Sequence, residues 1–475
     1  MANNTNRTDI KRIVDALFAS RNLVVTKEQQ PLFEAFINNP QNSALIQSII
    51  ENEAMLMDKW ELQRRIAAIV QQPVRLLNGT VGKPYETKID FKKWGWEDVA
   101  SFEFDGLEPA GLRYDAKTAQ LTGTPVQSGD FKINFKFRVT GENEDAPYHE
   151  KPFTLIINPD PKSLWKVVES DKNDPYAKED EATVFAPLGD RHILVSSKRG
   201  RSHANMGSFR EDDFAFRHFE ATGWNIVVVA DGAGSAKLSR KGSALACQSV
   251  IDFFNENLTP EALLPFDALV QEHKAATGDD TQKKLNHFVY NNLGKAAFYT
   301  HKKLETFAAE TGVPLKDLST TLIFCLFKKY DVGYALLSFG VGDCPIGVLN
   351  KDVSELTLMN WIDVGEFGGG TRFITMPEIF QSDKFATRFS FKLMDDFSYL
   401  MLMSDGIYDP KFVVEAALEN IKNWKAFLAD LDGKNDDGIK VELRADNPEI
   451  TKQFSAWMDF WSAGNHDDRT LAIVF

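Results

Sequence analysis

The stretch WNIVVVADGAGSA (224–236) decides the fold, because it joins an apolar run to an aspartate and a Gly-x-Gly turn. A similar junction follows in YLMLMSDGIYD (399–409). Short apolar runs bounded by turn residues are typical of buried strands, and Asp-Gly is a common hairpin turn. One such junction is read as an ordinary turn. Two of them predict that Asp231 and Asp405 lie at strand ends of one domain.

Further acidic residues border other strand-like runs of the same region. Asp343 follows LLSFGVG, Asp467 and Asp468 precede TLAIVF, and FAF is preceded by Glu211, Asp212 and Asp213. Strand ends can hold carboxylates a few ångströms apart, where like charges repel strongly. A multivalent cation or protonation relieves that repulsion. Oxygen donors without a cysteine partner favour Mg²⁺ or Mn²⁺ over zinc, and Gly232 allows its own carbonyl to approach such an ion closely.

The order of these motifs resembles the metal-dependent protein phosphatase family, the type 2C Ser/Thr phosphatases, over about residues 190–475. The matching segments are RSHANMGSFREDDFAFR, VVVADGAGSAKLSRKGS, LSTTLIF, LSFGVGD, LMLMSDGIYD and HDDRTLAIVF. The flanking SKRGRSH and GEFGGGTRFIT (365–375) look like a bacterial, signalling branch of that family. The resemblance implies two Mn²⁺ or Mg²⁺ ions that activate a bridging water for hydrolysis of phosphoserine or phosphothreonine. The implied partner is a phosphorylated protein, a Ser/Thr kinase or its target.

The resemblance also assigns roles to single residues. Asp231 would bridge both metals, Gly232 would ligate through its carbonyl, and Asp405 and Asp467 would hold one metal. The Glu-Asp pair of the family falls on Glu211–Asp212 or, shifted by one residue, on Asp212–Asp213. Two further candidates are Asp343, in a Gly-Asp turn, and Asp468, which stands where the family usually has Asn. Thr320 and Thr321 match a structural Thr pair that leads a core strand.

Two departures from the family pattern concern substrate binding and proton transfer. The arginine that usually binds the substrate phosphate is replaced by Gly207 or Ser208, so its role would pass to Arg210, Arg201 or Arg199. The histidine that follows Asp-Gly in some relatives is Ala233, which leaves His203 as the candidate general acid. A packing role for His203 is the alternative. The departures also motivate a second hypothesis, a pseudophosphatase that acts as a phosphoprotein-binding scaffold.

The chain before the phosphatase-like region changes character twice. Residues 1–78 show helical periodicity and predict a helical region. Residues 79–158 show short alternating strands and predict a β-sandwich, and GLRYDAKTAQLTGTPVQSGDFKINF resembles the immunoglobulin-like domains of bacterial proteins. Residues 159–186 are rich in Pro, Asp, Lys and Glu and predict a linker. For residues 187–475 we expect an α+β domain, a central antiparallel β-sandwich flanked by helices.

Composition limits the classes of partner. The net charge of −14 argues against nucleic acid and anionic membrane surfaces. No run approaches 18 uninterrupted apolar residues, which a membrane-spanning helix would need. The three cysteines, an odd number in apolar surroundings, indicate a reducing compartment without a disulfide framework. We therefore expect a cytoplasmic protein.

Overall fold

The computed structural model describes residues 7–275, 279–363, 370–462 and 464–475. The chain forms two compact units, Met1–Leu164 and Trp165–Phe475. Their boundary lies inside the segment predicted as a linker, 159–186. The glycine-rich run of the segment 365–375 lies outside the described residues, except for Gly370.

The first unit begins with helices, in the region predicted to be helical. They are α1 (Arg7–Ser20), α2 (Gln30–Asn38) and α3 (Pro40–Gln71), and a short helix, α4 (Phe91–Trp94), lies further on in the region predicted as a β-sandwich. Helix α3 starts where the Asn39 side chain accepts hydrogen bonds from two backbone N–H groups, with proline at the first helical position. At its other end, the Lys151 ammonium donates to the carbonyls of Val70 and Gln72. This cation at the helix C-terminus joins α3 to the strands that follow.

The strands of the first unit form two sheets. They are β1 (Gly79–Thr80), β2 (Tyr85–Lys88), β3 (Val99–Asp105), β4 (Leu112–Asp115), β5 (Gln120–Gly123), β6 (Gly129–Val139) and β7 (His149–Asn158). One sheet has the order β1-β7-β6-β3 and the other β2-β5-β4. Along β6 every second side chain is buried, from Ile133 to Val139, as alternating apolar and polar residues predict. The likeness to immunoglobulin-like domains stays a prediction.

The second unit is built on two antiparallel sheets. Its strands are β8 (Glu181–Leu188), β9 (Arg191–Lys198), β10 (Asp213–Phe219), β11 (Trp224–Ala230), β12 (Leu322–Tyr330), β13 (Gly333–Val341), β14 (Ile346–Asn350), β15 (Leu356–Leu358), β16 (Phe389–Met394), β17 (Phe397–Met403) and β18 (Arg469–Val474). The sheet orders are β10-β11-β12-β13-β16 and β15-β14-β17-β18-β9-β8. Strand β8 begins inside the segment 159–186, so residues 181–186 of that segment belong to an edge strand and not to a linker. The charged residues just before β8 concealed the β-forming run ATVFA (182–186).

Helices cover the outer faces of both sheets. They are α5 (Arg201–Met206), α6 (Ser239–Asn257), α7 (Pro260–Ala275), α8 (Asp279–Thr311), α9 (Glu378–Gln381), α10 (Asp405–Phe412), α11 (Ile421–Leu431) and α12 (Ile450–Trp457). On β11, Val227 and Val229 belong to a buried cluster shared by the two sheets, whereas Ile226 and Val228 belong to a cluster with α6, α7 and α8. A third cluster joins the six-stranded sheet to α10, α11 and α12. Both faces of β11 are therefore buried, which explains its continuous apolar run.

Within the described ranges, no helix combines the length and the apolar character needed to cross a membrane.

Candidate active site

Five aspartates lie at strand ends along one edge of the two sheets. Asp231 directly follows β11, and Asp405 follows β17 by two residues. Asp467 precedes β18, which pairs with β17 through Met403 and Leu471. The remaining two are Asp212, which precedes β10, and Asp343, which follows β13. The antiparallel register therefore brings residues that are far apart in sequence to one place.

The five carboxylates are close enough to change each other's protonation. Burial raises the pKa of Asp231 well above its usual value, and the charges of Asp212, Asp405, Asp467 and Asp343 raise it further. Burial and the same neighbours also raise the pKa of Asp405, which is partly offset by a hydrogen bond with Asp231. The cluster is thus electrostatically strained when no cation is bound.

The backbone around Asp231 is held by the threonine pair. The Asp231 N–H donates to Thr321 Oγ1 at 2.9 Å, and its carbonyl accepts from Thr320 Oγ1 and from the Thr321 N–H at 2.8 Å each. Both threonines are buried. They fix the position of the Asp231 backbone through uncharged donors and an uncharged acceptor, which leaves the carboxylate available.

The acidic run before β10 splits into different environments. Asp212 is 1% exposed, its Oδ2 accepts from Thr470 Oγ1 at 2.8 Å, and burial next to Asp468 raises its pKa to about 7. Asp213 is instead paired with Lys178 Nζ at 2.9 Å, and its Oδ1 accepts from the Phe214 N–H. The structure does not bring Asp213 to the cluster, because successive residues of an extended chain face opposite sides.

Glu211 lies on the side of the cluster next to Gly232. A Cβ added at Gly232 would lie 2.6 Å from the Glu211 carbonyl oxygen and 2.9 Å from its Cβ. Glycine is therefore required for this close approach. Burial raises the pKa of Glu211 to about 7, and its Oε2 atom is buried without a hydrogen-bond partner in the part of the chain that the structure describes.

Asp468 organises the segment that follows β9. Its Oδ1 accepts from the Gly200 N–H at 2.6 Å and lies 2.9 Å from His203 Nδ1, and its Oδ2 accepts from the Glu211 N–H. Burial lowers the pKa of His203, but the hydrogen bond with Asp468 and the charges of Asp468, Glu211 and Asp467 together outweigh it and raise the pKa to about 9. Burial alone would raise the pKa of Asp468, and the contact with His203 lowers it. The sequence analysis named both residues without seeing that they contact each other.

The three arginines considered for phosphate binding are all engaged by the protein. Arg210 is 3% exposed and donates to Ser197 Oγ and to the Asp212 carbonyl. Arg201 donates to the carbonyls of Asp459 and Phe460. The third, Arg199, donates to backbone carbonyls and pairs with Asp180. None of the three has a guanidinium free in the described ranges to bind a phosphate as the structure stands.

Sequence reasoning missed two residues at the rim of the cluster. Asp409 is exposed and raises the pKa of both Asp343 and Asp467 through its charge. Its position four residues after Asp405 on α10 was the available signal, because such residues share a helix face. Thr371 Oγ1 donates to Asp343 Oδ2 at 2.6 Å, and nothing in the sequence pointed to that contact.

Comparison with known proteins gives the family of the chain. The model of the protein phosphatase 2C family matches residues 199–437, half of the chain. The chain therefore belongs to the protein phosphatase 2C family, and the membership predicted from the order of the motifs is confirmed. Its phosphatase unit has the α+β fold that was expected of the family. No curated protein sequence matches the chain.

Several solved structures are similar to the chain at low identity. A bacterial serine phosphatase is 16% identical, with a TM-score of 0.33, over 59% of this chain and 96% of that chain. The serine/threonine phosphatase Stp1 from Staphylococcus aureus is 14% identical, with a TM-score of 0.34, over 62% and 98%. RsbX in complex with magnesium is 11% identical, with a TM-score of 0.32, over 62% and 98%.

The protein phosphatase 2C family is metal-dependent, and the donor set of this chain fits a divalent cation. Asp405 Oδ1 and Glu211 Oε2 are buried without hydrogen-bond partners among the described residues. Burial and the neighbouring carboxylates raise the pKa values of the clustered aspartates, and a bound cation would offset both effects. Hard oxygen donors of this kind suit Mg²⁺ or Mn²⁺.

Proposed function

We propose that this chain is a metal-dependent protein serine/threonine phosphatase that hydrolyses phosphoserine or phosphothreonine with two Mn²⁺ or Mg²⁺ ions. The observation that carries the proposal is the convergence of Asp212, Asp231, Asp343, Asp405 and Asp467 at one sheet edge. Such a convergence of charged carboxylates is unfavourable by itself, and divalent cations neutralise it. The cations, when bound, supply an acidified water and neutralise charge on the phosphoryl oxygens.

The residues proposed to hold the ions follow from their contacts. Asp231 lies centrally, since its pKa responds to four other carboxylates. Asp405 and Asp467 flank it, and the Gly232 carbonyl and Asp212 complete the set. Asp213 is left out because Lys178 neutralises it.

Binding of the substrate phosphate needs a cation outside the arginine set first considered. Arg372 is exposed and follows Thr371, whose hydroxyl contacts Asp343. Its guanidinium would suit the fork geometry of a phosphate at the rim of the cluster. We assign it the role that the family gives to an arginine before the first acidic residues.

The role of His203 as proton donor stays a prediction. Its Nδ1 contacts Asp468 and its Nε2 faces Glu211, and the side chain is only 14% exposed. These contacts favour a role in binding metal, which is developed below.

The proposed setting is cytoplasmic regulation, with a phosphorylated protein, a Ser/Thr kinase or its target, as the substrate. All three cysteines are buried and unpaired, which is compatible with a reducing compartment. Nucleic acid and membrane surfaces are not proposed as partners, given the net charge of −14.

The test is turnover of p-nitrophenyl phosphate and of a phosphothreonine peptide by the full chain, with Mn²⁺ and then with excess chelator. We expect chelator to abolish turnover and Asp231→Asn to lower it at least 100-fold, in line with the loss of a central electrostatic group. Asp352→Asn changes an exposed turn residue and serves as the control. Equal rates for wild type and Asp231→Asn would remove the proposal.

The alternative is a pseudophosphatase that binds phosphoproteins as a scaffold. It is favoured by the engagement of Arg199, Arg201 and Arg210 in protein contacts and by Ala233 at the family's histidine position. A scaffold of this kind has no need of the ions. Calorimetry that detects phosphopeptide binding without Mn²⁺ binding would support it over the enzyme.

A further inference from the structure

The imidazole of His203, on α5, lies between two carboxylates, Asp468 just before β18 and Glu211 just before β10. Its Nδ1 is 2.9 Å from Asp468 Oδ1, and its Nε2 is 3.9 Å from Glu211 Oε2. The side chains of His203 and Glu211 are 14% and 12% exposed. The two nitrogen atoms of the ring therefore face different partners in a largely enclosed space.

Asp468 fixes the orientation of the ring. Its two oxygens also accept from the N–H groups of Gly200 and Glu211, so the carboxylate cannot rotate away from Nδ1. When a metal ion displaces the proton of Nε2, Nδ1–H still donates to Asp468 and the lone pair of Nε2 is available to the ion. Histidines that bind metals characteristically donate their other ring N–H to a carboxylate in this way.

The space between Nε2 and Glu211 Oε2 has the size expected for a shared ion. At 3.9 Å the two atoms are too far apart for a hydrogen bond. Two donors bound to one ion at 2.0–2.2 Å lie at most roughly 4.3 Å apart. Glu211 Oε2 is buried and has no hydrogen-bond partner in the described part of the chain. One ligand atom from each of His203, Asp467 and Asp468 also lies within 4.8 Å of the others.

We propose that His203 Nε2 is a direct ligand of the divalent ion that Glu211 would hold, with Asp468 as the positioning residue. The proposal rests on the metal centre of the proposed function and adds a nitrogen donor to it. A mixed nitrogen and oxygen set raises affinity for Mn²⁺ and Co²⁺ relative to Mg²⁺, because imidazole suits transition metals and Mg²⁺ prefers oxygen. The ion next to Glu211 is therefore a transition metal by preference.

The experiment is a Mn²⁺ titration of the full chain followed by pulsed EPR of the bound ion, which detects a directly bonded ¹⁴N nucleus. We expect ¹⁴N coupling of an imidazole in the wild type and its loss in His203→Gln, although Mn²⁺ still binds at the other site. His218→Gln is the matched control, because His218 lies on β10 and contacts Asn225 instead. Asp468→Asn should keep the coupling and weaken Mn²⁺ binding about 10-fold.

The metal preference gives a second measurement. We expect His203→Gln to weaken Mn²⁺ binding at one site by about 10- to 100-fold and to change Mg²⁺ binding much less. Wild-type protein that binds Mn²⁺ without imidazole ¹⁴N coupling overturns this inference alone, whether or not the variants fold. Wild-type protein that binds no Mn²⁺ overturns the proposed function and this inference together. Unchanged Mn²⁺ affinity in a folded His203→Gln variant likewise rules out the ligand role, and His203 is then an ion-pair partner only.

Discussion

Replacing Asp231 by asparagine should stabilise the protein in the absence of metal. The substitution keeps the shape of the side chain and its backbone contacts with Thr320 and Thr321, and it removes the carboxyl group that four others repel. Most substitutions at buried sites destabilise a protein. This one should act in the opposite direction, because the charge it removes is unfavourable until an ion is bound.

The size of this stabilisation follows from Coulomb's law and from the partial protonation of the cluster. Two unit charges about 4 Å apart repel by roughly 4 kcal/mol at an effective dielectric constant of 20. The pKa values of Asp231 and Asp405 are raised well above the usual range, so only part of that repulsion is present near neutral pH. We expect a gain of about 1–2 kcal/mol in the free energy of unfolding, which raises the melting temperature of a unit the size of Trp165–Phe475 by roughly 1.5–3 °C.

The same variant should lose the stabilisation that metal provides. An ion at 100 times its dissociation constant stabilises the folded state by about 2.7 kcal/mol. In thermal unfolding of the full chain, the transition that Mn²⁺ raises in the wild type should rise much less in Asp231→Asn. In chelator, Asp231→Asn should therefore have the higher melting temperature. In Mn²⁺, the wild type should have the higher one.

The control is a buried aspartate of opposite character. Asp363 makes two hydrogen bonds with Arg388 and accepts a third from the Gly342 N–H. Asp363→Asn breaks a largely buried ion pair and should cost roughly 3–5 kcal/mol with or without Mn²⁺. The reasoning is refuted if chelated Asp231→Asn melts below the wild type, or if Mn²⁺ raises both by the same amount.

Three further predictions follow from the same contacts. The pKa of Asp212 is raised to about 7, so the folded state binds more protons than the unfolded state between about pH 4 and 7, and the stability of the metal-free protein should fall as pH rises through that range. The melting temperature in chelator at pH 5 and pH 8 checks this. The increase in melting temperature that Mn²⁺ causes should be larger at pH 8. Thr321→Val leaves the partly buried Asp231 N–H without its acceptor. It should lower the free energy of unfolding by about 1–3 kcal/mol and also lower kcat, which denaturant unfolding and steady-state kinetics measure. Arg372→Ala should raise KM for a phosphopeptide about 10-fold with little change in Mn²⁺ affinity, whereas an unchanged KM would exclude Arg372 from phosphate binding.

Much of the phosphatase fold could be predicted from apolar runs. The run WNIVVVA reads as a strand because both faces of β11 are buried, one against the other sheet and one against helices. The same rule failed at β8, where the charged residues before it led to the prediction of a linker. Composition averaged over 28 residues cannot locate an edge strand that occupies only the end of the window.

The proximity of the central aspartates could be predicted because it depends only on where the strands end. Asp231, Asp405 and Asp467 border long apolar runs, and the antiparallel register does the rest. The register of the pair before β10 was not predictable, because it depends on which side of the chain each residue faces. Asp212 faces the cluster and Asp213 faces Lys178. Both positions are aspartate, so the residue type does not distinguish them.

The environment of the basic residues explains why the cluster keeps its negative charge. Lys178 and Arg210 lie close to Asp212, yet both donate to its backbone carbonyl and not to its carboxylate. Lys178 is neutralised by Asp213, and Arg210 is directed to Ser197. The carboxylate of Asp212 receives a neutral hydroxyl from Thr470 instead. These two cations are thus held by other groups, and neither pairs with the Asp212 carboxylate. A salt bridge from either residue into the cluster would stabilise the metal-free fold and compete with the divalent ions for the same oxygens.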